Sequence, residues 1–182
     1  MYGLIHRALR QMITESLSPA VWEELKKRAE ISDFDMLSGH AHDDDVTERI
    51  VLRSAEAMGL EPVQFLEEFG TYWITFAYAG EYRKLMEFSG ADFRSTINNM
   101  NRLHQGVAMS MPGTRPPKFW IISDDGHATV IRYESDRKGM APFVCGLLKG
   151  LLAHFGMEGQ VSILAERETS VDFQVDVPAA SG

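Results

Sequence analysis

The spacing of the apolar residues changes once along this chain, at the consecutive prolines Pro116 and Pro117. Upstream, apolar residues recur every three or four positions, which is typical of amphipathic helices. Downstream they alternate with polar residues, most clearly at Val171, Phe173 and Val175, which is typical of strands. Because proline cannot continue a helix, "MPGTRPPKFW" ends the helical part. The pattern predicts an α+β fold, in which a helical N-terminal half packs on a C-terminal half with an antiparallel four-stranded sheet and a helix.

Several of the predicted helices carry recognisable end signals. Ser18 is placed to cap the second helix. Asp45 is predicted to cap the third, with Glu48 three residues later in a capping-box-like arrangement and Gly59 at its end. Gly70 marks a point where the fourth helix could bend or break. The predicted helices cover residues 2–16, 18–30, 43–59, 61–78, 82–88, 92–111 and 141–156.

Two hairpins are predicted after the prolines. The first joins residues 118–126 to 127–135 around the turn Asp124-Asp125-Gly126. The second joins residues 160–168 to 170–177. The predicted helix 141–156 lies between the hairpins, so the four strands are expected to form one antiparallel sheet.

Charge and cysteine content restrict the partners and the compartment. The chain has 18 Lys and Arg residues against 26 Asp and Glu residues, a net charge of -8, and the acidic residues are spread along it. This distribution argues against a nucleic-acid partner. No apolar run approaches ~20 residues, which argues against a membrane span. Cys145 is the only cysteine, which favours a reducing, intracellular compartment, and the protein is expected to be cytoplasmic. Cys145 is either a redox group or a small buried apolar residue.

One ionisable ring, His104, lies on the apolar face of helix 92–111. Such a histidine is either a core residue satisfied by one hydrogen bond or a metal ligand, and the sequence offers no obvious local partner for it. With no second ligand one helical turn away, a metal would have to bring most of its own coordination sphere, as the iron of a porphyrin does. The apolar face comprises Ile97, Met100, His104, Val107, Ala108 and Met111.

The segment "YESDR" places Tyr133, Ser135 and Arg137 at every second position, and therefore on one face at a strand end. A phenol, a hydroxyl and a guanidinium are donors suited to carboxylates such as two propionates. The same alternation also occurs on ordinary exposed strands, so both interpretations stand.

The segment "GHAHDDD", with His40, His42 and three aspartates, has two possible interpretations as well. It could form a metal cluster, but the favoured interpretation is a solvated loop that leads into a capped helix.

Four segments together resemble a known family: "MYG" at the start, "NRLHQGV" on a helix, "RPPKF", and "YESDR" on a following strand. In this order they resemble the H-NOX family, the haem-nitric oxide/oxygen binding domains related to the sensor region of soluble guanylate cyclase. The resemblance covers essentially the whole chain. It implies a single domain over 1–182, with a helical subdomain over 1–62, a haem-bearing subdomain with the sheet over 63–182, and haem between the halves.

The resemblance also implies a haem b cofactor and a role for each matching residue. His104 matches the histidine that binds the iron, and Pro117 matches the proline that presses on the porphyrin. Tyr133, Ser135 and Arg137 match the residues that grip the propionates. The remaining residues expected to bind the cofactor are Ile5, Trp73, Phe76, Leu103, Phe143 and Leu147.

Phe143 indicates which gas is preferred. Family members that hold dioxygen place a tyrosine six residues after the motif arginine, and here that position is Phe143. Bound dioxygen is polar and gains much from a hydrogen-bond donor, whereas bound NO gains little, so an apolar pocket favours NO. The indole N–H of Trp73 could substitute in part.

The resemblance therefore implies a sensor and not an enzyme. It predicts a ferrous, five-coordinate haem that binds NO or CO, excludes O₂, and signals to a separate effector through weakening of the iron–histidine bond and movement of helix 92–111. By family resemblance the effector is a histidine kinase or a cyclic-dinucleotide enzyme. The alternatives are a haem-dependent enzyme, either peroxidase-like or NO-consuming, and an iron-free module that binds an apolar ligand.

Overall fold

The predicted α+β class is confirmed by a computed structural model that describes residues 3–37 and 39–177. The first two residues of the "MYG" segment, and the predicted start of the first helix at residue 2, lie outside this range. The described helices are α1 (Gly3–Ser16), α2 (Pro19–Arg28), α3 (Asp44–Met58), α4 (Pro62–Ala79), α5 (Arg83–Ser89), α6 (Phe93–Ser110) and α7 (Ala141–His154), with a short 3-10 turn at Phe34–Met36. The strands are β1 (Lys118–Asp124), β2 (Ala128–Glu134), β3 (Gln160–Glu166) and β4 (Ser170–Asp176).

Local signals explain where most helices begin and end. The Ser18 hydroxyl accepts a hydrogen bond from the backbone N–H of Val21 at 3.2 Å, which confirms the predicted cap of α2. Gly59 adopts the left-handed conformation, with φ of 68°, and ends α3 as predicted. No helix in the described ranges is both long enough and apolar enough to cross a bilayer.

The predicted cap of α3 at Asp45 is wrong. The residue before the helix is Asp43, whose backbone is extended, and its side chain makes no capping hydrogen bond. Asp45 lies inside the first turn, where its carboxylate pairs with Arg49 one turn later. The neighbouring Asp44 pairs with Arg137, far along the chain. The first-turn aspartates of α3 are therefore used for ion pairs and not for capping.

Gly70 does not bend or break α4, which is continuous from Pro62 to Ala79. It lies instead where α4 touches α7. A Cβ atom at Gly70 would come within 2.1 Å of the Phe143 carbonyl oxygen, and one at Gly146 within 1.9 Å of the Glu67 carbonyl oxygen. The two glycines let the helix backbones approach closely, and this contact positions the α7 side chains near the site described below.

Replacing Gly146 with alanine is expected to lower the free energy of unfolding by about 3 kcal/mol, because the added methyl group must push α4 and α7 apart. Gly106→Ala is the matched control. Gly106 also lies inside a helix, has open space around it, and should tolerate alanine with no loss or a gain of up to ~1 kcal/mol. Urea denaturation of both variants measures the difference, and equal effects would contradict the close helix contact.

The sheet has the strand order β1-β2-β4-β3, and every neighbouring pair is antiparallel. Gly126, with φ of 91°, makes the first turn possible, as predicted. Ile131, Phe173 and Val175 are fully buried on one face of the sheet. They belong to the same hydrophobic cluster as the apolar residues of α7, including Leu148. The sheet and α7 thus share a core.

The prediction of a solvated loop is wrong for His42, although His40 is exposed. The His42 side chain is only 2% exposed, and its ring centroid is 5.2 Å from that of His6. His6 donates from Nδ1 to the Asp35 carbonyl and accepts at Nε2 from the Thr47 hydroxyl, both at 2.7 Å. In the described ranges no three His, Cys, Asp or Glu side chains are placed to hold a metal ion. The histidines pack as a core pair because α1 buries His6.

Folding stability should depend on pH through His6. Burial lowers the pKa of His6 from 6.5 to about 4, with a smaller lowering from His42, against an opposing effect of the Asp35 carbonyl. The unfolded chain therefore binds the proton more readily between these values, and stability falls as the pH drops from 6.5 toward 4. At about pH 4.5 the expected loss is about 2.5 kcal/mol.

The measurement is urea denaturation at about pH 7 and about pH 4.5. His6→Gln should lose less stability than the unmodified protein over this interval, because glutamine does not titrate. His127→Gln, at an exposed turn, is the control and should follow the unmodified protein. An identical pH dependence in all three proteins would show that His6 does not titrate as described.

Candidate functional site

One cavity gathers all but two of the residues predicted to form the site. It lies among α1, α4, α6, α7 and the first hairpin, and most of its lining is aliphatic or aromatic. Of the lining residues described, His104, Tyr133 and Arg137 carry titratable groups. The predicted residues in its walls are Ile5, Trp73, Leu103, His104, Pro117, Tyr133, Arg137, Phe143 and Leu147.

His104 points inward, as its position on α6 predicted, and finds a distant hydrogen-bond partner. Its Nδ1 lies 2.9 Å from the Pro117 carbonyl oxygen. Because a carbonyl only accepts, Nδ1 must carry the proton, which leaves Nε2 as an unprotonated nitrogen. Burial lowers the pKa of His104, and the ring is therefore neutral at pH 7. Within residues 3–37 and 39–177 the ring makes no other hydrogen bond.

Asn101 fixes α6 against β1 and was not identified from the sequence. Its side-chain amide donates to the Phe119 carbonyl at 2.7 Å, and its side-chain oxygen accepts from the Phe119 N–H at 2.8 Å. The Phe119 ring centroid is 6.1 Å from that of His104. Asparagine is a poor residue for a helix interior, which was the one available signal of a special role. These bonds hold the helix that carries His104 next to the segment that carries Pro117.

The polar end of the cavity is formed where β2 ends. Tyr133 is buried, and this burial raises the pKa of its phenol, so the hydroxyl keeps its proton. The Arg137 backbone N–H donates to the Ser135 hydroxyl at 3.1 Å. Ser135 does not line the His104 cavity; it lines an adjoining one together with Tyr133 and Arg137.

Arg137 already has partners, which the sequence did not reveal. Its Nε donates to the Asp44 carboxylate at 3.0 Å, and its Nη1 donates to the Arg115 carbonyl at 2.6 Å. Arg115 itself pairs with both Asp44 and Asp136. The Arg137 side chain is only 13% exposed. Its hydrogen-bond partners hold the guanidinium at the edge of the cavity.

The rest of the described wall of the cavity is apolar. Phe143 packs on Phe69, with ring centroids 5.2 Å apart. The Trp73 ring lies 5.6 Å from that of Phe76. Phe76 lines a neighbouring apolar cavity instead of the His104 cavity, and Trp73 and Leu103 form part of the wall of both. The structure therefore brings Phe76 close to the site without placing it in the site.

The family of the chain follows from comparison with known proteins. A family model described as Haem-NO-binding matches residues 2–163. The chain belongs to this family. Haem-NO-binding domains are haem-based gas sensors related to soluble guanylate cyclase, and they are sensor domains rather than catalytic ones. The resemblance seen in the sequence is thereby confirmed.

Curated relatives of this haem-NO-binding domain are guanylate cyclases. It is 25% identical to soluble guanylate cyclase gcy-33 of Caenorhabditis elegans over 169 residues. This alignment covers 92% of this chain and 18% of the relative. It is 24% identical over 155 residues to soluble guanylate cyclase gcy-35 of the same organism, covering 82% and 22%. The chain thus spans about a fifth of the length of these relatives.

Solved structures of haem-NO-binding proteins share the fold. An H-NOX protein from S. oneidensis in the Fe(II)NO ligation state has a TM-score of 0.86 at 18% identity, with 98% of this chain and all of that chain covered. An oxygen-binding H-NOX domain related to soluble guanylate cyclases, solved as its oxygen complex, has a TM-score of 0.83 at 20% identity, covering 98% and 96%. At these identities the likeness concerns the fold alone.

Domains of the haem-NO-binding family bind haem, and the residues of this cavity fit that group. Haem combines a flat apolar macrocycle, an iron that accepts a neutral imidazole nitrogen, and two carboxylates. The cavity offers apolar walls, the unprotonated Nε2 of His104, and the donors of Tyr133 and Arg137 at one end. A histidine that binds a metal commonly donates its other ring N–H to a backbone carbonyl, as His104 does to Pro117.

Proposed function

We propose that this domain senses nitric oxide and carbon monoxide through a haem b bound to His104, and that it excludes dioxygen. The observation that carries the proposal is the state of His104. Its ring is half-buried, neutral and held by the Pro117 carbonyl, with Nε2 free of any protein hydrogen bond in the described ranges, beside an apolar cavity with a cationic end. Bound haem would supply an iron able to bind a diatomic gas.

The protein contributes orientation at two points. The Pro117 carbonyl fixes the plane and tautomer of the His104 ring, and Asn101 fixes the helix that carries it. At the polar end, Arg137 and Tyr133 are proposed to hold the two carboxylates, with Ser135 positioning the Arg137 backbone. Ile5, Leu103, Leu147 and Pro117 are proposed to contact the macrocycle, and Phe76 to support Trp73 from outside.

Selection against dioxygen is assigned to Phe143. Its ring is packed on Phe69 and offers no hydrogen-bond donor to the cavity. Trp73 also lines this cavity, and its indole N–H is proposed as the donor responsible for any remaining dioxygen affinity. The pocket thereby withholds the donor that bound dioxygen needs more than bound NO does.

The signal is proposed to leave the site through α6. His104 and Asn101 couple this helix to Pro117 and Phe119 at the start of β1, so a change at the ring nitrogen moves α6 relative to the sheet. Two packings within a few kcal/mol of each other suffice for such a switch. By family resemblance, the effector is a separate histidine kinase or cyclic-dinucleotide enzyme, and the domain itself is not an enzyme. Its net charge of -8 suits a partner with a basic patch.

The proposed division into residues 1–62 and 63–182 is supported by the packing of the core. One buried cluster contains α1, α2 and α3, and a second contains the sheet with α5, α6 and most of α7. α4 is shared between them, because Phe65, Phe69 and Phe76 belong to the first cluster, with Phe143 of α7, and Ile74 belongs to the second. The haem is proposed to lie between the two halves, against both.

The test is the visible absorption spectrum of the reduced protein, first in air and then under CO and NO. We expect a Soret band of five-coordinate ferrous haem that air does not convert to an oxygen complex, that shifts with CO, and that shifts with NO to the position of a five-coordinate NO complex. Formation of a lasting dioxygen complex in air would overturn the proposed selectivity. Purified protein without any Soret band after haem addition would overturn the proposed function itself.

A further inference from the structure

A groove of about 440 Å³ opens beside the proposed haem site and is not explained by it. It runs between α1, α3 and α4 on one side and the segment 136–140 with the start of α7 on the other. Its floor shares Ile5, Arg137, Met140 and Phe143 with the wall of the His104 cavity. The groove and the cavity are therefore separated by a few side chains and not by a continuous backbone layer.

An ion pair spans this groove. Asp44 belongs to the first turn of α3, and Arg137 belongs to the connection between β2 and α7, 93 residues later. Both line the groove, and Asp44 Oδ1 lies 3.0 Å from Arg137 Nε. Arg115 adds a second link, since it contacts the other oxygen of Asp44 and also Asp136. The two sides of the groove are thus tied together by charge.

The segment on one side can move without breaking regular structure. Residues 136–140 lie outside both β2 and α7, and Gly139 has a left-handed backbone with φ of 73°. Apolar residues of the groove, including Leu52, Leu66 and Met140, offer a surface along which a flat apolar group could pass. The charged link ties this segment to the first turn of α3.

We propose that the groove is the route by which haem reaches and leaves the His104 cavity, and that Asp44 is the latch that closes it. This inference rests on the proposed haem site. Asp44 leaves the Nε of Arg137 while the haem passes and returns to it afterwards, and the haem carboxylate binds guanidinium N–H groups that Asp44 does not use. Asp44 thereby controls the rates of haem uptake and release as well as the position of Arg137.

The experiment compares Asp44→Asn with Asp45→Asn. Asp45 is the matched control, because it lies on the same helical turn, pairs with Arg49, and does not line the groove. Two rates are measured in each protein: uptake of haem by the haem-free protein, and release of haem to an excess of a strong haem-binding acceptor. The latch predicts that Asp44→Asn accelerates both rates by roughly tenfold, that Asp45→Asn changes neither, and that Asp44→Glu restores the slow rates.

A second measurement does not depend on bound haem. In the haem-free protein, amide hydrogen exchange of residues 136–140 should be faster in Asp44→Asn than in Asp45→Asn. Faster haem release without faster haem uptake would show that Asp44 only positions Arg137, and would overturn the latch. Unchanged amide hydrogen exchange in residues 136–140 would overturn it as well. If the unmodified protein takes up haem normally and both variants match it, the latch fails while the proposed function stands. If the unmodified protein takes up no haem, the proposed function fails.

Discussion

Replacement of His104 by glycine is expected to cost more than about 100-fold in haem affinity and to remove the five-coordinate ferrous spectrum. The variant loses the one neutral imidazole in the described lining of the cavity, and with it the nitrogen proposed to bind iron. It also leaves a space of the size of an imidazole ring next to the Pro117 carbonyl. Free imidazole should enter that space, donate to the same carbonyl, and restore part of the Soret band. Absorbance per mole of protein, titrated with imidazole, measures both effects.

The control for this experiment is His127→Gly. His127 is exposed at the turn between β1 and β2, and its replacement should leave the haem content and the spectrum unchanged. A His104→Gly protein that kept the unmodified spectrum without added imidazole would show that another residue binds the iron. Loss of the spectrum in both variants would point to general instability instead of a lost ligand.

Phe143→Tyr is expected to raise the dioxygen affinity of the reduced protein by about 10- to 100-fold. The tyrosine hydroxyl would bring a donor into a cavity in which Phe143 now offers none, and a hydrogen bond to a strongly polar group is worth about 1.5–3 kcal/mol. Each 1.4 kcal/mol corresponds to about tenfold in affinity. Bound NO is nearly neutral, so its affinity should change by much less. Oxygen titration and the oxygen dissociation rate measure the effect.

Phe143→Leu separates the donor from the change in shape. Leucine alters the packing against Phe69 but adds no hydrogen-bond donor, so it should change the dioxygen affinity far less than tyrosine does. Equal affinities in the tyrosine and leucine variants would mean that Phe143 does not face the bound gas. A high dioxygen affinity already present in the unmodified protein, and lost in Trp73→Phe, would assign the donor to the Trp73 indole.

The element pattern was predictable because local physics decides it. The change in apolar spacing at Pro116 and Pro117, the cap at Ser18 and the turn at Gly126 each involve neighbouring residues, and each was confirmed. In α3 and α4 the structure uses the predicted cap and bend residues for other contacts, and for Asp44 and Gly70 the partner is distant in sequence. Asp44 and Asp45 form ion pairs instead of a cap, and Gly70 serves the contact with α7 instead of a bend. A pattern read along one segment does not contain its packing partner.

The same limit applies to the site. The position of His104 on the apolar face of α6 was readable from helical spacing, and the family resemblance supplied the other expected residues. The partners that orient them are distant in sequence: Pro117 is 13 residues from His104, Phe119 is 18 from Asn101, and Arg137 is 93 from Asp44. Contacts of this kind depend on how the halves pack, and sequence spacing alone gives no measure of that.

The most direct test of the central claim is a crystal structure of the reduced, haem-loaded protein. The account predicts a bond between the iron and Nε2 of His104, with Nδ1 still donating to the Pro117 carbonyl and the macrocycle lying between the N-terminal helical half and the sheet-bearing half. A structure in which His104 only donates to that carbonyl, while the haem lies elsewhere or is bound by another residue, would contradict it.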